Sequence, residues 1–427
     1  MRKYFKEIML ETGINFGTPV YLYDSEKIRE KYDDLSFGLP CYVDLYYSMK
    51  ANPSLAICEY LRLLGANCEV SSQGEFHTAM KAGYKAEQII FVGPGKSYDE
   101  IEECLLNRIK LFVCESIDEI YLINDLSYKM GIKTNILIRI NPDFTVKNAI
   151  IKMSGVPSQF GIDLKLINQH IDILKQLDNI AISGIQIYNA SRVLDIAAIT
   201  DNINQILHLA EILSTEWGII FKTIDIGGGF GIPYFENEIE INSEMLTQNL
   251  TELFQKFKER HPITKIIIEL GRYLVAESGY LISKINYIKN NHDKNYLIVD
   301  AGMHCHMAAA GVGSFVQRNF PVEFVSQNMI SDEKMKYQIA GPLCTPGDIL
   351  LKDVLMPKAN IGDFIVIKNS GAYGLTGSMT RFLSHGSPAE VFYYKNDLHL
   401  IRRRESSDDI LATQFNLSEA IFNTGEY

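Results

Sequence analysis

Several features that would decide a protein's class at once are missing from this chain. No stretch approaches 18 consecutive apolar residues, so no segment is predicted to span a membrane. The seven cysteines, an odd number, are scattered without CxxC spacing and suggest neither a disulfide framework nor a zinc site, which fits a reducing compartment. Positive charge is short, with 41 Lys and Arg against 52 Asp and Glu, and the net charge of −11 argues against nucleic acid or an anionic membrane as the main partner. The opening Met1-Arg2-Lys3-Tyr4-Phe5-Lys6 begins like a signal peptide, but the acidic and polar residues that follow supply no apolar core for one. These absences read as a cytoplasmic protein. Low-complexity tracts, floppy linkers and an early dinucleotide fingerprint are lacking too. What is there, at 427 residues and 47% hydrophobic, is ample core for a barrel with a satellite domain.

From Leu45 onward a regular beat sets in. Short apolar runs lie at 45–49, 68–72, 89–92, 111–114, 136–140, 182–188, 223–226 and 265–270. Between them the periodicity predicts helices, as over 54–64, 73–82, 98–106 and 117–130. Eight strands alternating with helices predict a parallel (β/α)8 TIM barrel rather than an open doubly wound sheet. The beat ends near residue 275. Runs rich in β-branched residues, punctuated by glycine and proline, follow at 280–290, 296–300, 337–339, 364–368, 389–394 and 398–402 and predict an antiparallel β domain. The β-rich run Thr18–Asp24 ahead of the barrel is a further strand. The expected division is a barrel over 27–275 and a β domain made of 1–26 with 276–427.

In a parallel barrel the reactive groups gather at the C-terminal ends of the strands. The first strand, Leu45-Tyr46-Tyr47-Ser48-Met49, runs into Lys50. Burial of a lysine there would lower its pKa and make the amine nucleophilic, whereas the plainer reading is a lysine snorkelling at a strand end. The second strand ends in Glu69, Ser71 and Ser72, with Glu75 beyond, and the fifth carries Arg139. Tyr188 and Ser191 close the sixth. The seventh gives Gly227-Gly228-Gly229, whose backbone N–H groups could converge on a phosphate with no side chain in the way. Its alternative is a glycine turn with no ligand. The eighth ends in Glu269-Leu270-Gly271-Arg272. Arg272 suits the same phosphate or a plain salt bridge. Glu269, costly to bury without a cation, suits a protonated pyridine nitrogen or a pair within the barrel mouth. Lysine, phosphate cradle and strand-end glutamate together describe a site for pyridoxal 5′-phosphate.

At this point the chain resembles the fold-type III pyridoxal phosphate decarboxylases, the family of diaminopimelate, ornithine and arginine decarboxylases. The resemblance runs from about Thr18 to about Tyr394. It rests on Tyr47-Ser48-Met49-Lys50-Ala51-Asn52, Glu69-Val70-Ser71-Ser72-Gln73-Gly74-Glu75, the triple glycine, Glu269-Leu270-Gly271-Arg272, Val299-Asp300-Ala301-Gly302-Met303, Gly341-Pro342-Leu343-Cys344 and Ser370-Gly371-Ala372-Tyr373-Gly374. It implies that Lys50 holds the cofactor covalently and that Gly227–Gly229, Gly271 and Arg272 bind its phosphate with Ser191 and Tyr373. Glu269 would pair with the ring nitrogen, which favours decarboxylation over racemisation, because alanine racemase, a relative in fold, carries arginine there. Cys344 and Tyr373 would reach the site from a partner subunit, Cys344 as a proton donor, so a homodimer with shared sites is expected. Glu69 and Arg139 would support the cofactor.

Substrate is where the chain departs from the family. Tyr188 stands where a histidine usually stacks on the cofactor ring. Thr345 follows Cys344 where diaminopimelate and ornithine decarboxylases place an acid that reads a distal ammonium. After Met303, an arginine-proline run is replaced by His304-Cys305-His306-Met307-Ala308-Ala309-Ala310. That His-Cys-His is too tightly spaced for a standard structural metal site and has no matching second pair, so no metal is expected. With Phe382-Leu383-Ser384-His385, these changes resemble a sub-branch acting on carrier-bound or citryl-conjugated amino acids in antibiotic and siderophore assembly. His304, Arg318 and His385 are then candidates for reading the substrate tail, and each is equally a packing or surface residue. A free diamino acid, a racemase and a catalytically silent regulatory relative are the alternatives. Deuterium exchange at Cα without CO₂ loss would mark the racemase, and the joint presence of Lys50, Glu269, Cys344 and Tyr373 speaks against a silent relative.

Overall fold

The computed structural model describes residues 3–145, 151–152, 155, 157–312 and 317–417. It forms two compact units, Ser25–Ser278 and the combination of Met1–Asp24 with Gly279–Tyr427.

The first unit is built on eight parallel strands, Val43–Ser48, Asn67–Val70, Ile89–Phe91, Leu111–Cys114, Thr134–Asn141, Ile180–Gln186, Thr223–Gly228 and Lys265–Leu270. Each pairs with its neighbour in sequence, and the eighth returns to the first with Leu270 opposite Tyr47, so the sheet closes into a barrel. The helices between them form where the 3.6-residue period and the caps agree. Ser72, Ser97 and Ser116 each accept the backbone N–H three residues on, which starts the helices at Gln73, Tyr98 and Ile117. The helix Leu55–Leu64 ends on Gly65, and Ile117–Met130 on Gly131, each glycine in the left-handed conformation that a side chain resists. The barrel interior is filled by Tyr46, Ile90, Val92, Leu111, Val113, Leu137 and Ile267. Each such side chain contributes about 1.5–3 kcal/mol by leaving water.

The second unit is a nine-stranded sheet. Its main path runs Ile349–Pro357, Lys334–Ala340, Lys294–Val299, Gly279–Asn291, Val20–Asp24, Ala389–Tyr394 and Asp397–Arg402, with Phe364–Ile367 and Val322–Val325 branching from Gly279–Asn291. The expected strand at the start of the chain lies inside it. Not every pairing is antiparallel: Val20–Asp24 runs parallel to Ala389–Tyr394, and Lys294–Val299 parallel to Lys334–Ala340. Strand direction depends on which distant segments meet, and the alternation of side chains along one strand carries no such information. The helix Lys3–Phe16 packs Phe5, Ile8 and Met9 onto this sheet beside Leu22, Ile282, Val366 and Val391.

Candidate active site

At the C-terminal end of the barrel the candidates come together around Lys50. Ser48 ends the first strand and a single tight turn, Met49–Ala51, lifts Lys50 out of it. The sequence left open whether this lysine is buried or snorkels at the strand end. Its side chain is 38% exposed, and its amine reaches across to fully buried Glu69, 3.2 Å from both carboxylate oxygens. Burial works against ionising Glu69, but Lys50 and the hydroxyls of Ser48 and Ser71 outweigh it and hold the carboxyl below its usual range. Ser71 Oγ donates to Glu69 at 2.9 Å, and Ser71 N–H donates to Glu75 at 2.7 Å. Burial, and then the charge of Glu69, push Glu75 up to about 7.

The Tyr188 ring stands 5.6 Å from the Lys50 amine. That ring explains Gly227, since a Cβ there would lie 2.6 Å from Tyr188 Cδ2. At Gly228 a Cβ would overlap the carbonyl of Glu269, and at Gly229 that of Ala190, next to Ser191. The glycine run is therefore wedged between the ends of the sixth and eighth strands, with Gly227 and Gly229 at positive φ. Gly271 is needed for a similar reason, because a Cβ there would come within 2.8 Å of Ala51 Cβ. Arg272 opens the short helix Arg272–Val275 and donates from Nη1 to Tyr234 Oη at 2.9 Å.

Glu269 is buried beside a second carboxyl, Asp225, and hydrogen-bonded to it. Gln186 Nε2 donates to Glu269 at 2.8 Å and lies 3.4 Å from Asp225, whose other oxygen accepts Gly227 N–H at 2.9 Å. Burial pushes Asp225 up to about 6, while burial, followed by Asp225 and Glu69, pushes Glu269 well above its usual value. Gln186 and Asp225 were missed from sequence. Both lie inside strands, at positions that face the barrel interior, where a polar side chain is costly and was itself the available signal.

Arg139 is placed otherwise. Its guanidinium pairs with buried Glu115 at 2.7 Å and lies 5.0 Å from the Phe160 ring, an arrangement not shared with Lys50 or Glu69 in any described contact. Glu115 also accepts Gly93 N–H and Gly161 N–H, so this pair ties loops of the barrel mouth together.

In the second unit another group of candidates is assembled by one side chain. Asp348 accepts Met303 N–H at 2.6 Å and Leu343 N–H at 2.8 Å, joining the loop of His304 to the loop of Cys344 and Thr345. His385 stacks on His304 with ring centres 4.6 Å apart. Met307 N–H donates to Ser378 Oγ, which donates to Gly374 O beside Tyr373, and Tyr21 Oη donates to Cys305 O. Tyr373 itself sits at φ 55°, a conformation that costs a non-glycine residue about 1 kcal/mol or more. Cys344 is exposed. His304 is buried with no hydrogen bond to Nδ1, and burial followed by His385 pushes it down to about 4. His306 packs edge-on to Phe320, and burial pushes it to about 4 as well. Arg318 is exposed. Among the described residues no three His, Cys, Asp or Glu side chains are grouped as a metal site, and no helix is long and apolar enough to cross a membrane.

A closed parallel barrel whose strand ends bring a lysine, an aromatic ring, a glycine run and buried carboxyls together defines the class of pyridoxal phosphate barrel enzymes. The residues fit that cofactor. Burial raises the carboxyls of Glu269 and Asp225, a cationic ring nitrogen beside Glu269 would offset that by favouring its carboxylate, and the Lys50 amine lies near both the Tyr188 ring and Glu69. The profile of the family "Pyridoxal-dependent decarboxylase, pyridoxal binding domain" matches residues 25–276. The chain belongs to this family and is a pyridoxal phosphate-dependent amino acid decarboxylase. It is 37% identical over 402 residues to the L-glutamyl-[BtrI acyl-carrier protein] decarboxylase of Niallia circulans, covering 93% of this chain and 94% of that one. Against the diaminopimelate decarboxylase of Aquifex aeolicus it is 31% identical over 408 residues, covering 95% and 94%. Its fold matches the crystal structure of diaminopimelate decarboxylase from M. jannaschii with a TM-score of 0.88 at 28% identity, covering 96% and 95%.

Proposed function

We propose that this enzyme removes the α-carboxyl group of an amino acid already joined to a larger group, a carrier protein or a citryl unit, in siderophore or other secondary-metabolite assembly. It works as a cytoplasmic homodimer with shared active sites. The observation that carries the reading is the scarcity of acid in the loop cluster. In the loops 301–306, 341–348 and 381–385 the sole carboxylate is Asp348, and both its oxygens are taken by backbone N–H groups. Thr345 and the imidazoles of His304 and His385 offer nothing to neutralise the distal ammonium of a free diamino acid. An acylated tail carries no such charge. The carrier-linked substrate in the name of the Niallia circulans relative supports the same reading.

Pyridoxal phosphate, when bound, supplies a ring that accepts the electron pair released with CO₂. Lys50 would hold it covalently. Glu269, with Asp225 and Gln186 fixing its carboxyl, would keep a proton at the ring nitrogen. Tyr188 would pack against the ring. Backbone N–H groups of Gly227–Gly229 and Gly271, with Ser191, Arg272 and Tyr373, would bind the phosphate. Glu69 and Arg139 support the mouth, Glu69 by direct contact with Lys50 and Arg139 through Glu115. Cys344 Sγ, supplied by the partner subunit, returns a proton to the carbon that loses CO₂. Thr345, His304, His385 and Arg318 read the tail. The barrel, 27–275, carries the cofactor groups, and the β domain of 1–26 and 276–427 carries the groups that complete the site across the dimer.

The test is CO₂ release by the loaded enzyme from free diaminopimelate, ornithine, arginine, lysine and glutamate, beside citryl-conjugated and carrier-bound amino acids. Release from the conjugates alone is expected. Rapid release from a free amino acid would return the enzyme to primary or polyamine metabolism.

A further inference from the structure

The opposite, N-terminal end of the barrel carries a second candidate site. Five helices of the barrel unit end alike: the first left-handed residue past the helix donates to the carbonyl three residues back, and the next residue donates five back. In four of them the left-handed residue is glycine, at Gly65, Gly83, Gly131 and Gly218. After Tyr98–Leu106 it is Arg108, at φ 57°, with Arg108 N–H donating to Leu105 O and Ile109 N–H to Cys104 O. A side chain there is paid for in steric strain, and the turn gains nothing from it.

Arg108 lines a cavity of about 560 Å³ together with Lys110, Lys133, Thr134 and Asn135. The described lining holds three cations and no carboxylate, in a chain of net charge −11. Lys110 is partly withdrawn from water; it donates to Tyr46 Oη at 2.5 Å and shares Asp44 with Lys265, at 3.5 and 3.6 Å. Asn135 Oδ1 accepts from Ser183 Oγ, which leaves its amide nitrogen as a donor. The volume falls within the range of small-molecule sites. We propose that this cavity binds a small polyanion, through charge-assisted hydrogen bonds from Arg108, Lys110 and Lys133. Clustered negative charge is the shared chemistry, and phosphate and carboxylate groups are its two sources.

The experiment is calorimetric titration of inorganic pyrophosphate, and separately of citrate, into the pyridoxal phosphate-loaded enzyme at fixed ionic strength, so that the phosphate cradle at the other end is filled. One saturable site for at least one anion is expected, the tighter of the two naming the source. Arg108→Gly and Lys133→Gln should each weaken it by about tenfold. Arg108→Gly should also leave the thermal midpoint equal or higher, since glycine suits that turn. Absence of saturable binding by both anions, or affinity unchanged in both variants, would overturn the proposal. So would a lowered midpoint in Arg108→Gly, which would give the arginine a role in the fold instead.

Discussion

Lys50 is a cation among carboxyls: Glu69 holds it, and Glu75, Asp225 and Glu269 are close enough to the same centre for Glu69 to raise the pKa of each. With one lysine amine at the centre, the site has an excess of acid that a cationic ring relieves. Lys50→Ala should therefore abolish turnover and the visible absorbance of the lysine-linked cofactor, while the barrel still melts cooperatively. An unaltered spectrum in the variant would mean that another amine carries the cofactor. Residue types at strand ends were legible because a charged or polar group at the end of an apolar run stands out. The pairing of Glu269 with Asp225 was not, because it joins two neighbouring strands and neither strand's own pattern announces the other's side chain. The same holds for Arg139, whose partner Glu115 lies 24 residues upstream at the end of the preceding strand.

At the scale of elements, the triple glycine does two things at once. Its backbone donors suit a phosphate, yet each Cβ is also excluded by a neighbour. Gly228→Ala should cost about 1–3 kcal/mol by driving a methyl into the Glu269 carbonyl. Chemical denaturation of the enzyme freed of its cofactor checks this, and an unchanged midpoint would show that the packing can yield. The barrel strands were readable because a buried parallel strand is a continuous apolar run bounded by polar turns. Ile349–Pro357 escaped notice for the opposite reason. It is an edge strand, its alternation is broken by Lys352-Asp353, and Asp353 sits at φ 53°. Val322–Val325 is too short to show a period at all.

For the whole molecule, stability should depend on acid through the buried imidazoles. His306 is kept neutral by burial, its pKa lowered from 6.5 to about 4, and Ala309 N–H donates to its Nδ1. Between these values the unfolded chain takes up a proton that the folded one refuses, so its share of stability is present above pH 6.5 and lost as pH falls towards 4. Relative to His306→Leu, the wild type should lose up to about 3 kcal/mol over that interval. Urea unfolding of both proteins at pH 7 and pH 4.5 reads the difference, and a constant gap would mean His306 is protonated in the folded state. Glu75 works in the other direction, since its raised pKa removes stability as pH climbs from 4.5 to about 7.

The parallel pairing of Val20–Asp24 with Ala389–Tyr394 has a consequence in time. A ribosome delivers these two strands more than three hundred and fifty residues apart. At 5–20 residues per second the earlier strand waits roughly 20–70 s for the later one, long after every strand of the barrel has been made. Throughout that wait the edge of Val20-Tyr21-Leu22, buried in the finished fold, has no lasting neighbour on one side, and an open edge of that kind is a template for unwanted chains. The barrel can be finished before Ala389–Tyr394 has been made; the sheet cannot.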